Sequence, residues 1–446
     1  MKSRREIPAV GKLLAQVRAD DLPHALVVQA IRDQVALERR GQRPESKLIT
    51  RIEAAIEQLR RSQLQAVING SGVIIHTNLG RVPLAPEALR SLHEAGRTYN
   101  NLEFDLNSGL RGNRGDYVER ALAAICQAES ACVVNNCAAA LFLIVRHFTR
   151  EKPVVVISRG ELVQIGGGFR ISEILQAAGA TLREVGATNK TTVQDYAKAL
   201  GKEAGLILKV HQSNFFMDGF VASPTTAELA TLARKKRIPF VEDLGSGAIG
   251  ATDALGLAEH EPTVADTLRA GADLVCFSGD KLFGGPQAGI IVGKRRFVSV
   301  LKRHPLFRAL RCDKLILAAL QATAELHLAK KSSAIPVLSF LATSAAELRQ
   351  RGESIADQLR GLPIEVRLEQ THSKIGGGAL PRSRIDSFAI ALRSRNHSAG
   401  EIARRLRHCV PAIIGYIAHD SCKLDLRTIF PSQDCALVSA IHEALR

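Results

Sequence analysis

The chain has 446 residues, 46% of them hydrophobic, and a formal net charge of +16. A chain of this length usually forms two or three separate cores, and this apolar content excludes general disorder. No apolar run approaches the roughly 20 residues that cross a bilayer, so we expect a cytoplasmic protein without a membrane partner. The positive charge favours a polyanionic partner such as nucleic acid, although an ordinary soluble surface is compatible with it.

The eight cysteines contain no CxxC pair and no cysteine–histidine spacing typical of zinc ligands. The sequence therefore predicts neither a disulfide framework nor a metal site. We expect most of these side chains to be buried as small hydrophobic residues.

Residues 1–66 are predicted to form a small helical domain. Leu48, Ile52, Ile56 and Leu59 recur at helical spacing, and residues 26–31 do so before them. An acid at position 20 or 21 is expected to cap the earlier helix. The domain carries a net charge of +5, which suits a phosphate-binding surface. A solvated helical face would show the same pattern.

Residues 67–330 alternate short apolar runs with helix-length amphipathic segments. The runs of strand length are residues 131–134, 153–157, 206–210, 239–241, 274–277 and 288–293. Nearly continuous apolar strands separated by helices indicate a sheet covered on both faces, and hence an α/β domain with a mostly parallel sheet. Ligands of such sheets bind beyond the carboxyl ends of the strands, so we expect the functional residues there.

Residues 331–446 are predicted to form a smaller α+β domain. Alternation over residues 364–368 and 424–429 indicates strands, and the three consecutive glycines at 376–378 indicate a loop.

The first run is followed by Asn135, Asn136 and Cys137, which precede a helical pattern. An asparagine cap with small residues behind it presents backbone N–H groups to a phosphate at the positive end of the helix. Asparagine is also a common cap without any ligand.

The run at 274–277 is followed by the segment SGDKLFGGP, residues 278–286. Lys281 in a partly dry pocket would have its charge disfavoured, which makes the neutral amine available for a Schiff base. Ser278 is placed to contact a phosphate, and the glycines allow a close approach of the backbone. A lysine in an isolated segment of this kind is usually an exposed loop residue.

Two further strand ends add polar groups. Asp243 can pair with a protonated pyridine nitrogen, and Asn214 can donate to a ring oxygen, while His211 can orient the site. Each of these residues alone is more often structural. Together with a phosphate seat and Lys281 they predict a site for pyridoxal 5′-phosphate (PLP).

The joint occurrence of a phosphate seat, an acid, a lysine and an asparagine at strand ends resembles the fold type I PLP-dependent enzymes, the superfamily similar to aspartate aminotransferase. Longer segments resemble the bacterial L-seryl-tRNA(Sec) selenium transferases, or selenocysteine synthases. These segments are residues 73–81, 102–106, 111–115, 158–167, 209–214, 243–247 and 278–289. That family usually has three asparagines where this chain has Asn135, Asn136 and Cys137, so the role of the side chain at 137 is in doubt.

The resemblance implies a fold type I transferase with a helical tRNA-binding domain, a PLP-binding α/β domain and a small α+β domain. It implies that seryl-tRNA(Sec) loses its β-hydroxyl to give dehydroalanyl-tRNA, with Lys281 as the general base. Addition of selenium from selenophosphate then gives selenocysteinyl-tRNA(Sec). It also implies dimers that complete each PLP site and assemble into a decameric ring.

Selenophosphate is a small anion, and planar guanidinium groups bind such anions well. We expect Arg81, Arg308 and Arg311 to bind it, the last two from one helix face. Any of them can instead be an ordinary surface arginine.

Two other functions compete with this one. The first is a PLP-dependent β-lyase or desulfurase acting on a free amino acid, which would have no use for the basic domain at residues 1–66. The second is a tRNA-binding protein with an idle PLP fold, which the joint presence of Asp243 and Lys281 disfavours.

Overall fold

The computed structural model describes residues 7–40, 46–252, 257 and 259–445. The chain divides into two compact units, Met1–Val67 and Ile68–Arg446. Among the described residues, no helix combines the length and the apolar character needed to span a membrane.

The first unit contains three helices in its described part: α1 (Val10–Leu14), α2 (His24–Arg39) and α3 (Leu48–Ser62). The apolar faces of α2 and α3 pack on each other through residues that include Ile31 and Ile52, which are fully buried. The predicted helical spacing is therefore confirmed. The predicted cap is wrong, because α2 begins after a proline without a side-chain cap, and Asp21 accepts hydrogen bonds from Arg60 instead.

The strands are numbered along the chain. They are β1 (Val67–Asn69), β2 (Val73–Ile75), β3 (Ser130–Val134), β4 (Val154–Ser158), β5 (Gln164–Ile165), β6 (Phe169–Arg170), β7 (Thr181–Val185), β8 (Ala204–Val210), β9 (Phe240–Gly245), β10 (Leu274–Ser278), β11 (Gly289–Gly293), β12 (Glu365–Gly376), β13 (Arg384–Arg393), β14 (Ala412–Ile414), β15 (Tyr416–Ala418) and β16 (Ser421–Asp425).

The remaining helices connect and cover these strands. They are α4 (Pro86–Arg97), α5 (Asp116–Ile125), α6 (Cys137–Phe148), α7 (Ile171–Ala177), α8 (Val193–Ala199), α9 (Thr226–Lys236), α10 (Val264–Ala270), α11 (Arg295–Arg303), α12 (Pro305–Leu310), α13 (Lys314–Leu328), α14 (Pro336–Ala342), α15 (Ala345–Gln358), α16 (Ala399–Arg407) and α17 (Asp434–Leu445).

Seven of the described strands form the large sheet, in the order β3-β11-β10-β9-β8-β4-β7. All pairings are parallel except those of β11, which runs antiparallel to both β10 and β3. Separate hydrophobic clusters cover its two faces, one including α5, α9 and α13 and the other including α6, α7 and α11. The predicted mostly parallel, doubly covered sheet is confirmed. The edge strand β7 was not predicted, because its sequence TLREV is largely polar.

A second sheet has the order β15-β16-β13-β12-β2, and its long β12–β13 pair is antiparallel. Its strand β2 comes from far earlier in the chain and pairs in parallel with the end of β12. Residues 73–75 thus belong to a sheet whose other strands all come after residue 330. The sequence pattern predicts a domain boundary at residue 330. Residues 424–429 are a strand only as far as Asp425, and a 3-10 turn at Leu426–Thr428 follows.

Candidate active site

Lys281 lies in the turn after β10, and only 8% of its surface is exposed. Its amine forms no hydrogen bond or ion pair with any residue that the structure describes. Burying a charged amine without a partner is costly, and such a group is retained where a ligand or a reaction uses it. The side chain is therefore not the exposed loop lysine that the isolated segment would suggest.

The Lys281 amine occupies space that is free because two neighbouring residues are glycines without side chains. A Cβ atom added at Gly378 would lie 2.3 Å from Lys281 Nζ, and one added at Gly245 would lie 3.5 Å from it. Both glycines have positive φ, 88° and 64° respectively. The predicted loop at 376–378 thus reaches the lysine from the second sheet, and a side chain at 378 would collide with the amine.

Asp243 lies on β9, opposite Cys276 of the neighbouring strand β10. Its Oδ1 accepts a hydrogen bond from the Cys137 thiol at 3.5 Å. Burial raises the pKa of Asp243, and the nearby Lys281 ammonium opposes that shift. The carboxylate is deeply set yet retains some exposed surface. It can therefore accept a hydrogen bond from a protonated ring nitrogen.

The start of α6 lies beside this carboxylate. Asn136 is the N-cap, and its side chain accepts a hydrogen bond from the backbone N–H of Ala139 at 2.8 Å. The backbone N–H of Asn135 donates to the carbonyl of Leu310 at 2.9 Å. Backbone N–H groups in the first turn of α6, which begins at Cys137, remain available for an anion. Ser278, the last residue of β10, is also buried.

The side chains of Asn214 and His211 make their polar contacts with other residues of the chain and not with the Lys281 amine. Asn214 is exposed, and its Nδ2 donates to the carbonyl of Gln164 at 2.8 Å. The ring of His211 lies with Nε2 3.3 Å from Glu261 Oε1, and Glu261 is 1% exposed. Ser213 between them is buried, and its Oγ would lie 3.7 Å from a Cβ added at Gly245. Sequence reasoning missed Ser213 and Glu261, although Ser213 lies in the singled-out His211–Asn214 segment.

Arg81 is brought to the lysine turn by Asp280. Its Nη1 lies 2.5 Å from Asp280 Oδ2, and Asp280 directly precedes Lys281. Arg81 has a positive φ of 66°, which aids the reversal of the chain after β2. Sequence reasoning named the arginine but not its acidic partner, since nearly 200 residues separate them.

Arg311 and Arg308 have different surroundings. Arg311 Nη1 lies 3.2 Å from Glu103 Oε1, and Glu103 also binds Arg111 and Arg114. The Arg311 backbone forms a bridge with Val134, next to Asn135. Arg308 is exposed and forms no ion pair within the described residues. The two do not share a helix face, because α12 ends at Leu310 and Arg311 is extended.

The mostly parallel sheet with helices on both faces defines the fold class, which is that of the fold type I PLP-dependent enzymes. The solved structure of D-glucosaminate-6-phosphate ammonia-lyase is similar in fold, with a TM-score of 0.61 and 18% identity. The similarity covers 87% of this chain and 97% of that one. The predicted fold class is thereby confirmed.

The family can be stated more narrowly. The family described as SelA, L-seryl-tRNA selenium transferase, matches residues 67–430. The L-seryl-tRNA(Sec) selenium transferase of Carboxydothermus hydrogenoformans is 41% identical, over 97% of this chain and 96% of that protein. The one from Aquifex aeolicus is 39% identical, over 99% and 98%. The chain belongs to the L-seryl-tRNA selenium transferase family, as the sequence motifs predicted.

Proposed function

We propose that this chain converts seryl-tRNA(Sec) to selenocysteinyl-tRNA(Sec), using PLP attached to Lys281. Membership of the selenium transferase family supports the reaction. The observation that carries the cofactor assignment is the buried Lys281 amine, which forms no hydrogen bond or ion pair in the described part of the chain. A tRNA substrate also favours a cytoplasmic location.

The described residues fit PLP. Asp243 would hold the pyridine nitrogen, while the start of α6 at Asn135, Asn136 and Cys137, with Ser278, would hold the phosphate. Because the Asn136 side chain caps α6, its contribution to the phosphate would come through the backbone. His211 and Asn214 would contact the cofactor only after leaving their present partners, so we assign them a supporting role.

PLP, when bound, supplies an electron sink that stabilises negative charge at the Cα of an amino acid. Lys281 Nζ is the group placed to accept the Cα proton of the seryl residue as a general base. The amine forms no hydrogen bond with a described residue, so no such partner has to be released before it reaches that proton. The backbone of Gly378 closes over the amine and limits the approach of water. Loss of the β-hydroxyl and addition of selenium at Cβ would follow.

Selenophosphate is the selenium donor in this proposal, and Arg81, Arg308 and Arg311 are its candidate ligands. Arg308 is the most available, since Arg81 and Arg311 already contact Asp280 and Glu103. We expect Arg308→Ala to raise the KM for selenophosphate about 10- to 100-fold, the value of a charge-assisted hydrogen bond. Arg303→Ala, an exposed arginine at the end of α11, is the matched control and should leave this KM unchanged.

The first unit would bind the tRNA through its cations. Arg51 and Arg60 are paired with acids inside the unit. The cations without an ion pair to another described residue are Lys12, Arg18, Arg32, Arg39, Arg40 and Lys47. Release of counterions from the tRNA would make this binding strongly salt-dependent.

A homo-oligomer, a ring of five dimers, is part of the same proposal. The segment between α4 and α5 carries apolar side chains that are largely exposed in the single chain, including Tyr99 (105%), Leu106 (74%) and Leu110 (69%). Exposed apolar groups of this kind mark protein–protein contacts. A second copy of the chain would cover them, which light scattering of the purified protein can test.

The decisive experiment supplies the purified protein with seryl-tRNA(Sec) and selenophosphate and identifies the amino acid released from the ester. Selenocysteine is the expected product. Unchanged serine under all conditions would contradict the proposal. Wild-type protein should also show the visible absorption band of PLP joined to lysine, and Lys281→Ala should lack it.

A further inference from the structure

Three potential metal ligands meet beside the lysine from three different elements. They are the thiols of Cys137, at the start of α6, and Cys276, on β10, with the carboxylate of Asp243 on β9. One ligand atom from each lies within 4.8 Å of the other two. The spacing of cysteines along the sequence gave no sign of this group, because 139 positions separate the two thiols.

The distances suit a tetrahedral ion. Zinc binds a thiolate at about 2.3 Å and a carboxylate oxygen at about 2.0 Å, so tetrahedral angles place the sulfur and oxygen about 3.5 Å apart. Cys137 Sγ and Asp243 Oδ1 are 3.5 Å apart. The same geometry places two sulfur ligands about 3.8 Å apart, and the Cys276 sulfur lies within 4.8 Å of the ligand atoms of both Cys137 and Asp243.

The charges also balance. Two thiolates and a carboxylate carry three negative charges, and a divalent cation together with the Lys281 ammonium carries three positive ones. Buried charges persist when they are compensated in this way. Cys137 and Asp243 retain exposed surface, which gives an ion access, whereas Cys276 is fully buried behind them. A fourth position would remain for water, and the two sulfur ligands select a thiophilic ion.

We infer that the PLP-free protein binds one thiophilic divalent cation, such as Zn²⁺ or Cd²⁺, through Cys137, Asp243 and Cys276, and that this ion excludes PLP. Each thiol gives up its proton as the metal–sulfur bond forms. Exclusion follows because an ion bound to Asp243 neutralises the carboxylate charge that would pair with a protonated pyridine nitrogen, and this part rests on the proposed function. Uptake of the ion does not rest on it.

Cys137 would contribute to the phosphate seat through its backbone N–H at the start of α6, and the variant Cys137→Asn keeps that group. This variant is therefore expected to fold and to bind PLP. It removes one sulfur ligand while retaining a polar side chain at the start of α6.

The test titrates PLP-free, full-length, reduced protein with Cd²⁺ and follows the ultraviolet charge-transfer absorption of cadmium thiolates. We expect one equivalent per chain. Cys137→Asn and Cys276→Ala should each weaken binding by about 100-fold or more, since even residues that only support a ligand contribute 10- to 100-fold. Cys435→Ser, which removes an exposed thiol, is the control and should change nothing.

A second titration measures PLP binding at increasing Zn²⁺. The apparent Kd for PLP should rise in proportion to free Zn²⁺ in the wild type and stay constant in Cys137→Asn. Equal Cd²⁺ binding by Cys137→Asn and wild type, or uptake by protein saturated with PLP, would overturn the inference. Failure of the proposed function would look different, because PLP would then not bind at all while Cd²⁺ uptake persisted.

Discussion

Two buried cations in this molecule have opposite surroundings. Arg427, 2% exposed beside the second sheet, donates hydrogen bonds to the carbonyl oxygens of Phe340, Thr343 and Asp386. Lys281, 8% exposed beside the large sheet, has an amine that forms no hydrogen bond or ion pair with a described residue. A buried cation surrounded by acceptors holds elements together, whereas one without acceptors is available for chemistry.

The acids near these cations differ in the same way. Asp425 Oδ1 accepts hydrogen bonds from the hydroxyls of Ser373 and Ser387 and from the backbone N–H of Arg427. Asp243 has thiols beside it, which are weak donors. Burial raises the pKa of both acids. Asp425 is therefore held by three hydrogen bonds to Oδ1, although its Oδ2 is buried without a partner among the described residues, whereas the region around Asp243 is open to a ligand.

The largest effect is expected for Lys281→Ala. Loss of the general base and of the covalent attachment should lower the rate of selenocysteine formation by at least about 1000-fold. The free energy of unfolding of the PLP-free protein should change little, because the amine has no hydrogen bond to lose and Asp243, whose pKa is already raised by burial, can take up a proton when the ammonium is gone. Urea unfolding measures this, and a large loss of stability would contradict the contrast with Arg427.

Arg427→Met should show the reverse. Removing one member of a buried, hydrogen-bonded network should lower the free energy of unfolding by about 3–5 kcal/mol. The activity of the molecules that remain folded should be close to that of wild type. The control is Arg360→Met on an exposed arginine paired with Asp357, where we expect less than about 1 kcal/mol. Similar losses in both variants would show that the network carries no special stability.

Glu119 of α5 is a third buried acid, and it has one cationic partner, Lys302. Burial raises the pKa of Glu119 from 4.5 to about 7, against the opposing effect of Lys302. Between pH 4.5 and about 7, Glu119 is protonated in the folded chain and ionised in the unfolded chain. The free energy of unfolding should therefore fall as the pH rises through this range. The fall should total roughly 3 kcal/mol.

Glu119→Gln removes this titratable group. The free energy of unfolding of the variant should therefore lose the part of its pH dependence that Glu119 causes. Denaturant unfolding at several pH values from about 5 to about 8 provides the measurement. Glu94→Gln, on an exposed acid, is the control. Wild type and Glu119→Gln with parallel pH profiles would show that the pKa of Glu119 is not raised.

Gly378→Ala tests the closure over the lysine. Gly378 and Gly361 both have φ near 90°, but an added Cβ meets Lys281 only at Gly378 and meets nothing within 4 Å at Gly361. Both alanines should cost roughly 1 kcal/mol of stability. Only Gly378→Ala should lower activity, by about 100-fold, since it displaces the reacting amine. Equal activity of the two variants would show that the contact is unimportant.

The local sequence determined a large part of this protein. Apolar runs with turn residues after them predicted the central strands, and helical spacing predicted α2 and α3, because these patterns depend on neighbours a few positions apart. Motifs at the strand ends also predicted Asp243 and Lys281 as partners in one site, since adjacent parallel strands bring their carboxyl ends together.

Only the tertiary structure decided how that site is closed. Gly378 packs on Lys281 from another sheet, Asp280 holds Arg81, and Cys137 meets Cys276 beside Asp243. Asn214 faces Gln164 in the structure. These contacts join residues far apart in the chain, and their geometry follows from how helices and sheets pack. The sequence specifies the chemical type of each side chain, but the packing of the whole fold determines which residues it contacts.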